Sequence, residues 1–423
     1  YSAFTYYLGF KVNSGEYKVM GLAPYGNPKY EELIKDKLID IKPDGSFRLD
    51  MNFFDFATGF KMVNKKFENL FERSRREPEI EKLENFHMDV AASIQKVLEE
   101  IVIKISYDIR SKYNEDNLCM AGGVALNCVA NGKIQKKKIF KNLWIQPAAG
   151  DAGGALGAAL AYWHNELGNE KINLEDSMKG SFLGPKYESD EIEKELNTCG
   201  ATFKIYNYND LLEFIAKQLC EEKAIGWFQG RMEFGPRALG ARSIIANPKS
   251  DKMQSMLNLK VKFRESFRPF APAILREDLE EYFDLDIDSP YMLLVSEINE
   301  KIKIKMTEDE NKLFGIDKLN IKRSLLPSVT HVDYSARVQT VDGKSNKIFY
   351  DLIKKFKEYS GCPTVINTSF NIRGEPIVCT PADAFKCFMG TELDILVCGS
   401  YVMIKEDQNK NLFKDYKNNF KLD

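Results

Sequence analysis

The feature that most constrains this chain is a short apolar strand that runs directly into a loop rich in glycine and arginine. The strand is predicted at Ala224–Phe228, and the whole stretch reaches Pro248. Its loop carries these arginines, glycines and proline: Arg231, Arg237, Arg242, Gly235, Gly240 and Pro236. Glycine lets the backbone approach a ligand closely, and arginine offers a planar fork of donors that suits phosphate or carboxylate. The stretch predicts an anion-binding loop at the end of a buried strand. The alternative is a surface loop of solvated arginines.

Two later stretches have the same character. Lys260–Pro272 carries Lys262, Arg264 and Arg268 among aromatic residues. Asn367–Pro376 carries asparagine, serine and arginine directly after a short apolar strand. Because all three loops join donor-rich side chains to apolar segments, we expect them to form the walls of one pocket.

The first half of the chain repeats a strand–glycine–helix pattern. Each predicted strand is followed by a glycine pair and a helix: Gly122 and Gly123 after Leu118–Ala121, and Gly153 and Gly154 after Leu143–Gln146. A helix N-terminus presents free N–H groups and the positive end of the helix dipole, which suits a phosphate. A glycine pair alone is weak evidence, so these turns are only candidate nucleotide sites.

Three charged residues near these motifs allow two interpretations each. Asp151 stands at the head of the helix that follows the second glycine turn. It is either an N-cap or a metal or phosphate ligand. Glu16 and Lys18 either face a ligand or simply begin a helix.

The stretch Thr330–Val341 holds a further group of polar residues. His331 could act as a general acid–base, or it could be a structural histidine at a strand end. Asp333 and Arg337 could belong to a ligand site, or they could form an ordinary ion pair.

Composition narrows the classes of function. The 423 residues suffice for two or three domains, and the formal net charge of -2 argues against nucleic acid as a bulk partner. None of the eight cysteines forms a Cys-x-x-Cys pair, which is typical of reduced thiols in a cytoplasmic protein. No run of about 18 apolar residues predicts a membrane span. Tyr1–Phe10 is apolar and uncharged, so it should belong inside a domain; we expect it to be exposed in this chain and to favour aggregation.

These motifs, together with Ala121–Gly132 and Thr330–Val341, closely resemble the O-carbamoyltransferase family from Tyr1 to about Ile404. The resemblance implies an α/β fold. Residues 1–178 would be the C-terminal part of an actin-like (ASKHA, TsaD-like) carbamoyl-transfer domain. Residues 179–404 would form a YrdC-like domain for carbamoyl phosphate and ATP, and 405–423 a polar tail.

The resemblance also implies chemistry. The second domain would convert carbamoyl phosphate and ATP to carbamoyl-adenylate, and the first would transfer the carbamoyl group to a hydroxyl of a sugar or secondary metabolite beside Fe²⁺, with Mg²⁺ as a further candidate ion. The residues implied to line the carbamoyl phosphate pocket are Arg237, Lys262, Arg268, Arg337, Asn371 and Arg373. The residues implied to bind nucleotide are Glu16, Lys18, Gly122, Gly123, Asn127, Gly153 and Gly154. Asp151 is implied as an iron ligand.

One departure from the family pattern matters. In the family, an N-terminal lobe with a His-x-x-x-His pair and a first phosphate loop precedes the point at which this sequence begins. We therefore expect adenylate formation to be complete in this chain and transfer to be incomplete. A threonylcarbamoyl-type tRNA-modifying enzyme and a non-catalytic nucleotide-binding remnant are the alternatives, and a homodimer is among the expected assemblies.

Overall fold

The structure is a computed structural model that describes residues 1–171, 176–413, 416 and 420. Part of the predicted polar tail, 414–415, 417–419 and 421–423, lies outside the described residues. The α-helices are α1 Ser2–Tyr7, α2 Glu16–Leu22, α3 Glu31–Lys37, α4 Lys65–Leu70, α5 Asn85–Tyr113, α6 Cys128–Lys136, α7 Ala152–Ala161, α8 Ser189–Thr198, α9 Tyr208–Cys220, α10 Met253–Met256, α11 Leu279–Tyr282, α12 Glu308–Lys312, α13 Lys347–Ser360 and α14 Pro381–Met389.

The strands fall into one large sheet and two small ones. They are β1 Ile39–Ile41, β2 Phe47–Leu49, β3 Asn117–Met120, β4 Asn142–Ile145, β5 Lys204–Ile205, β6 Ile225–Phe228, β7 Arg242–Ala246, β8 Ala271–Leu275, β9 Leu294–Glu297, β10 Ser335–Val341, β11 Thr364–Ser369, β12 Ile395–Cys398 and β13 Tyr401–Ile404. β1 pairs with β2, and β3 pairs in parallel with β4.

The large sheet has nine strands in the order β5-β13-β12-β6-β7-β11-β8-β10-β9. It is mixed: β6 runs parallel to β12 and antiparallel to β7, while β8 runs parallel to β10 and antiparallel to β11. Every residue of β6, β8 and β12 is buried, which explains why these strands are continuous apolar runs in the sequence. The mixed sheet and its helices confirm the predicted α/β class.

Helix α13 shows how the sequence attaches a helix to this sheet. Phe349, Leu352, Ile353 and Phe356 recur at helical spacing, and all four are buried. The Asn346 side chain accepts the Phe349 N–H at the N-terminus, and Gly361 ends the helix in the left-handed conformation at φ 67°.

The first half is organised around the long helix α5. Its N-terminus has a reciprocal cap in which the Glu84 N–H donates to Nδ1 of His87 over 3.0 Å, while the Glu84 side chain caps the His87 N–H. His87 is therefore buried and structural. Phe4, Tyr7, Leu8 and Phe10 are also buried in this half, so the apolar start does lie inside a domain and is not exposed.

Three helices begin or end in a turn of another helical type. The helix after the first glycine pair begins only at Cys128, after a 3₁₀ turn at Gly123–Leu126. The helix at the second glycine pair changes after α7 to a π-helical turn at Tyr162–Glu166, and α10 continues into a similar turn at Leu257–Val261. Apolar periodicity does not distinguish these wider and tighter turns from α-helix.

Two large hydrophobic clusters lie mainly in the two halves of the chain. One is built mainly on the large sheet and the other mainly on α1–α5. The division is not strict, because Phe267 and Val332 belong to the second cluster and Ala125, Ile145 and Ala149 to the first. In the part of the chain that the structure describes, no helix has the length and apolar character needed to cross a bilayer.

Candidate functional site

A cleft of about 500 Å³ lies between helix α2 and three loops around the large sheet. The three loops that were predicted to form one pocket meet here. The cleft is lined by all six residues that the family resemblance assigned to the carbamoyl phosphate pocket: Arg237, Lys262, Arg268, Arg337, Asn371 and Arg373.

Basic side chains predominate among the charged residues of the lining. They are Lys11, Arg237, Lys262, Arg264, Arg268, Arg337 and Arg373, while the carboxylates in the lining are Asp333 and Glu375. Low-dielectric walls of one charge sign concentrate the electrostatic potential and attract ions of the opposite sign. The cleft is therefore suited to an anionic ligand.

The loop that carries Arg237 is held by a buried carboxylate. Glu233 Oε1 accepts the backbone N–H groups of Leu239 over 2.6 Å and Ala241 over 2.8 Å. Burial raises the pKa of Glu233. Gly240 has φ 106°, and a Cβ placed there would lie 2.4 Å from the Phe349 ring. The loop thus needs both the acid and the glycine to present Arg237.

The other two arginines of this loop do not line the cleft. The Arg242 guanidinium lies 3.5 Å from the centre of the Phe228 ring and donates to the carbonyls of Gln229 and Gly230. Arg231 is exposed and donates to the carbonyl of Gly184 over 3.1 Å. The expected cradle of three arginines is thus wrong in detail, because backbone carbonyls hold two of them.

Arg237 and Arg337 form the least compensated part of the cleft. Burial lowers the pKa of Arg237, and the nearby Arg337 charge lowers it further. Burial also lowers the pKa of Arg337. Among the described residues, the Nε atoms of both arginines are buried without a hydrogen-bond partner. Two adjacent half-buried cations, each with a buried Nε donor that is unused in the described structure, provide a binding site for a compact anion.

Lys262 connects two of the loops. Its Nζ donates to Asn371 Oδ1 over 2.9 Å, to the Asn371 carbonyl over 3.0 Å and to the carbonyl of Ser369. Burial lowers the pKa of Lys262 well below its ordinary value. The backbone N–H of Arg373 donates to the Lys262 carbonyl, so the lysine fixes the loop that presents Arg373.

Arg268 and Arg373 share a carboxylate. Arg373 lies 3.2 Å from Glu265 Oε1, and Arg268 lies 3.6 Å from Glu265 Oε2. Burial opposes ionisation of Glu265, but the charges of Lys18, Arg373 and Arg268 outweigh it and lower its pKa. Glu265 therefore stays ionised and holds two cleft arginines side by side.

The histidine near the cleft has a structural role. His331 Nε2 donates to the Gly21 carbonyl over 3.0 Å, and Nδ1 accepts the Val332 N–H over 2.6 Å. Both ring nitrogens are used, which favours the structural interpretation over general acid–base catalysis. The Asp333 carboxylate accepts from the Ser335 hydroxyl and N–H, and the described contacts include no ion pair between Asp333 and Arg337.

Gly122 and Gly123 follow β3, whereas Gly153 and Gly154 lie in the first turn of α7, after the loop that follows β4. The Gly122 N–H donates to the Ala149 carbonyl over 2.7 Å, which joins the two loops. A Cβ added at Gly122, Gly123 or Gly154 would meet nothing within 4 Å, whereas one at Gly153 would lie 2.1 Å from the Ala148 carbonyl. Gly153 is therefore needed for packing, and the other three leave open space beside the turns.

The remaining predicted nucleotide residues have partners within the protein. Asn127 is buried, caps α6 by accepting the Ala130 N–H, and exchanges hydrogen bonds with Gln95. Glu16 opens helix α2 and accepts from the Ser2 hydroxyl over 2.8 Å. Lys18 is buried and lies over the Phe10 ring.

Asp151 occupies the N-cap position of α7 without making a side-chain cap hydrogen bond. The N-cap interpretation is therefore not supported. Across the described ranges, no group of three or more histidine, cysteine, aspartate or glutamate side chains is placed to hold a metal ion. Asp151 and its described surroundings do not by themselves fit an iron site.

Sequence reasoning assigned no role to two residues of this region. Tyr17 lies between the two named residues Glu16 and Lys18, and its hydroxyl accepts from Arg268 over 2.7 Å. Glu265 lies within the Arg-rich stretch between Lys262 and Arg268. The position of Glu265 between two cations could have been recognised in the sequence. The contact that Tyr17 makes across the cleft could not.

Comparison with models of protein families shows to which family this chain belongs. Residues 1–160 match the model described as carbamoyltransferase N-terminus, and residues 216–405 match that described as carbamoyltransferase C-terminus. This chain belongs to the carbamoyltransferase family. The resemblance inferred from the motifs is thereby confirmed.

Three individual proteins are similar in sequence to this carbamoyltransferase-family chain over most of its length. An uncharacterised protein of Synechocystis is 53% identical over 427 residues, covering 100% of this chain and 69% of that protein. Nodulation protein NolNO of Sinorhizobium fredii is 37% identical, covering 94% of this chain and 54% of the relative. Nodulation protein NolO of Bradyrhizobium diazoefficiens is 38% identical, covering 92% and 66%. The chain thus spans between about half and two thirds of the length of these curated relatives.

Proposed function

We propose that the cleft binds carbamoyl phosphate and uses ATP to make carbamoyl-adenylate, whose carbamoyl group then passes to a hydroxyl of a sugar or secondary metabolite. The observation that carries the proposal is the pair Arg237 and Arg337, whose buried Nε donors have no partner in the described structure. The chain covers 54% to 69% of the length of the three relatives described above. The activity of the whole protein is therefore stated here as a proposal.

The roles of the cleft residues follow from their contacts. Arg237 and Arg337 would hold the phosphate of carbamoyl phosphate by charge-assisted hydrogen bonds. Arg268 and Arg373, held side by side by Glu265, would stabilise the charge that develops as phosphate departs. Lys262 and Asn371 bond to each other and would keep the loop walls at a fixed separation.

The proposed chemistry has three balanced steps. Water adds to the carbamoyl carbon, the bond from carbon to the phosphate oxygen breaks, and carbamate and phosphate result, with one water proton passing to phosphate and the other released. A carbamate oxygen then attacks the α-phosphorus of ATP, and pyrophosphate leaves. Finally the acceptor hydroxyl attacks the carbamoyl carbon, AMP leaves, and the hydroxyl proton is released. The cationic cleft favours the first two steps, in which negative charge moves to a leaving group.

The domain types are proposed as well. We infer a YrdC-like domain in residues 179–404, and an actin-like domain portion in 1–178 with its nucleotide beside Gly122, Gly123 and Gly154. The space around these glycines and the place of Gly154 in the first turn of α7 support the second inference. Asp151 is exposed and would be the contribution of this chain to an iron site completed by other ligands. No step above depends on that ion.

Pyrophosphate release is the direct test. The purified chain is mixed with ATP, with and without carbamoyl phosphate, and pyrophosphate and AMP are measured. We expect pyrophosphate release only when carbamoyl phosphate is present. Release that does not depend on carbamoyl phosphate, or none under any condition despite a folded protein, contradicts the proposal.

A further inference from the structure

One polar side chain in the cleft wall has an unused acceptor. Asn367 lies on β11, lines the cleft and is 0% exposed. Its Nδ2 donates to the Ala238 carbonyl over 3.3 Å and to Gln339 Oε1 over 2.7 Å. Its Oδ1 is buried and has no hydrogen-bond partner among the described residues. Leaving a buried acceptor unpaired costs free energy, so such an atom needs an explanation.

A chain of hydrogen bonds fixes which atom of Asn367 is unpaired. The Leu239 carbonyl can only accept, so the Gln339 group that lies 2.9 Å from it must be the Nε2 donor. Gln339 Oε1 is thereby turned to Asn367, and the Asn367 atom that faces it must be Nδ2. Rotating the Asn367 amide would place two acceptors against each other. Oδ1 is therefore held as the acceptor that remains.

The rest of the cleft offers mainly donors, because arginine and lysine side chains have no acceptor. A ligand that uses both kinds of group must combine an anion with a hydrogen-bond donor. Carbamoyl phosphate has this combination, since its phosphate is anionic and its amino group donates. We propose that Asn367 Oδ1 accepts a hydrogen bond from the amino group of carbamoyl phosphate and makes the cleft selective for carbamoyl over acyl phosphates. This inference rests on the proposed function.

Acetyl phosphate is the matched probe, because a methyl group replaces the amino group while the phosphate is unchanged. A methyl group in that position would leave Asn367 Oδ1 unpaired, so the unmodified chain should bind acetyl phosphate more weakly than carbamoyl phosphate. A single net hydrogen bond corresponds to a preference of about ten-fold. A site built to bond an N–H rejects an analogue that lacks it for this reason.

The experiment measures equilibrium binding by calorimetry of inorganic phosphate, carbamoyl phosphate and acetyl phosphate to the purified chain and to the variant Asn367→Leu. We expect the preference for carbamoyl over acetyl phosphate to fall from about ten-fold to near one, with phosphate binding retained. Asn367→Ser, which is smaller and cannot place an oxygen at the same point, provides the same comparison if the leucine variant does not fold.

The outcomes separate this inference from the proposal on which it rests. If the unmodified chain binds none of the three probes, the anion site itself is wrong. If phosphate binds but the unmodified chain shows no preference, or if the folded variants keep it, Asn367 does not select the ligand and the proposed anion site stands. In a further variant, Gln339→Leu, the amide of Asn367 is no longer oriented, and we expect a reduced preference.

Discussion

Tyr17 and Arg268 meet across the junction between the two halves of the chain. The guanidinium donates to the Tyr17 hydroxyl over 2.7 Å, and its central carbon lies 4.6 Å from the centre of the same ring. Tyr17 lies on α2 in the first half, whereas Arg268 belongs to the loop that precedes β8. One cleft arginine is therefore oriented by a residue from the opposite half.

Removing this contact should weaken the proposed activity in two stages. Tyr17→Phe removes the hydrogen bond and keeps the ring, so we expect carbamoyl-phosphate-dependent pyrophosphate release to fall by roughly three- to ten-fold. Tyr17→Ala also removes the ring contact and should lower it further. Steady-state rates at varied carbamoyl phosphate concentration test this order, and equal rates for Tyr17→Phe and Tyr17→Ala would exclude a role for the ring.

Arg237 should be indispensable for use of carbamoyl phosphate. In Arg237→Ala the phosphate loses a half-buried charged partner, and the loss of one partner of a buried charge pair costs about 2–5 kcal/mol. Arg231→Ala is the matched control, because it removes the same residue type from the exposed part of the same loop. We expect severe loss of pyrophosphate release in the first variant and little change in the second, with unfolding temperatures compared to exclude misfolding.

Stability should depend on pH through His87. Burial lowers the pKa of His87 from an ordinary value near 6.5 to about 4. Between these values the unfolded chain binds a proton that the folded chain does not, so stability falls as the pH is lowered through this window. The contribution is about 2 kcal/mol between pH 7 and pH 5.

The variant His87→Gln isolates that effect. Glutamine at this position can still complete the cap of α5 but does not titrate. Denaturant unfolding at pH 7 and pH 5 should show a smaller loss of free energy of unfolding for the variant than for the unmodified chain. Identical losses would assign the pH dependence to other groups, of which the buried His331, with its lowered pKa, is the first to test.

Asp151 should matter neither for stability nor for adenylate formation. Its side chain makes no cap hydrogen bond and is exposed, so Asp151→Ala should change the free energy of unfolding by less than about 0.5 kcal/mol. Pyrophosphate release should also be unchanged, because the proposed cleft lies elsewhere. A clear loss of either quantity would mean that Asp151 has a partner or a role in the first reaction.

Sequence reasoning performed best where one local pattern determines one structure. Buried strands such as β6 follow from continuous apolar runs, and the three donor-rich loops were predicted to share a pocket. It was weaker for individual arginines. Arg231, Arg237 and Arg242 look alike in sequence, and their roles separate only because the fold brings backbone carbonyls to two of them.

Contacts between distant segments were the least predictable. The unpaired oxygen of Asn367 depends on Gln339, which in turn depends on a carbonyl in the β6–β7 loop. Each link joins residues far apart in sequence, so neither spacing nor local propensity indicates it. Glu233 is a local case, because it accepts N–H groups of Leu239 and Ala241 within its own loop, and only its burial distinguishes it from a solvated acid.

The shared packing at the junction has a consequence for how the chain can move and fold. The Tyr25 hydroxyl donates to the Phe267 carbonyl over 2.9 Å, His331 donates to the Gly21 carbonyl, and the side chains of Phe267 and Val332 are buried among residues of the first half. Separating the halves would expose both apolar side chains to water and break both hydrogen bonds at the same time. These contacts should fix the relative position of the two halves, and with it the walls of the cleft. A fragment that begins near residue 180 would expose Phe267 and Val332, which the first half covers.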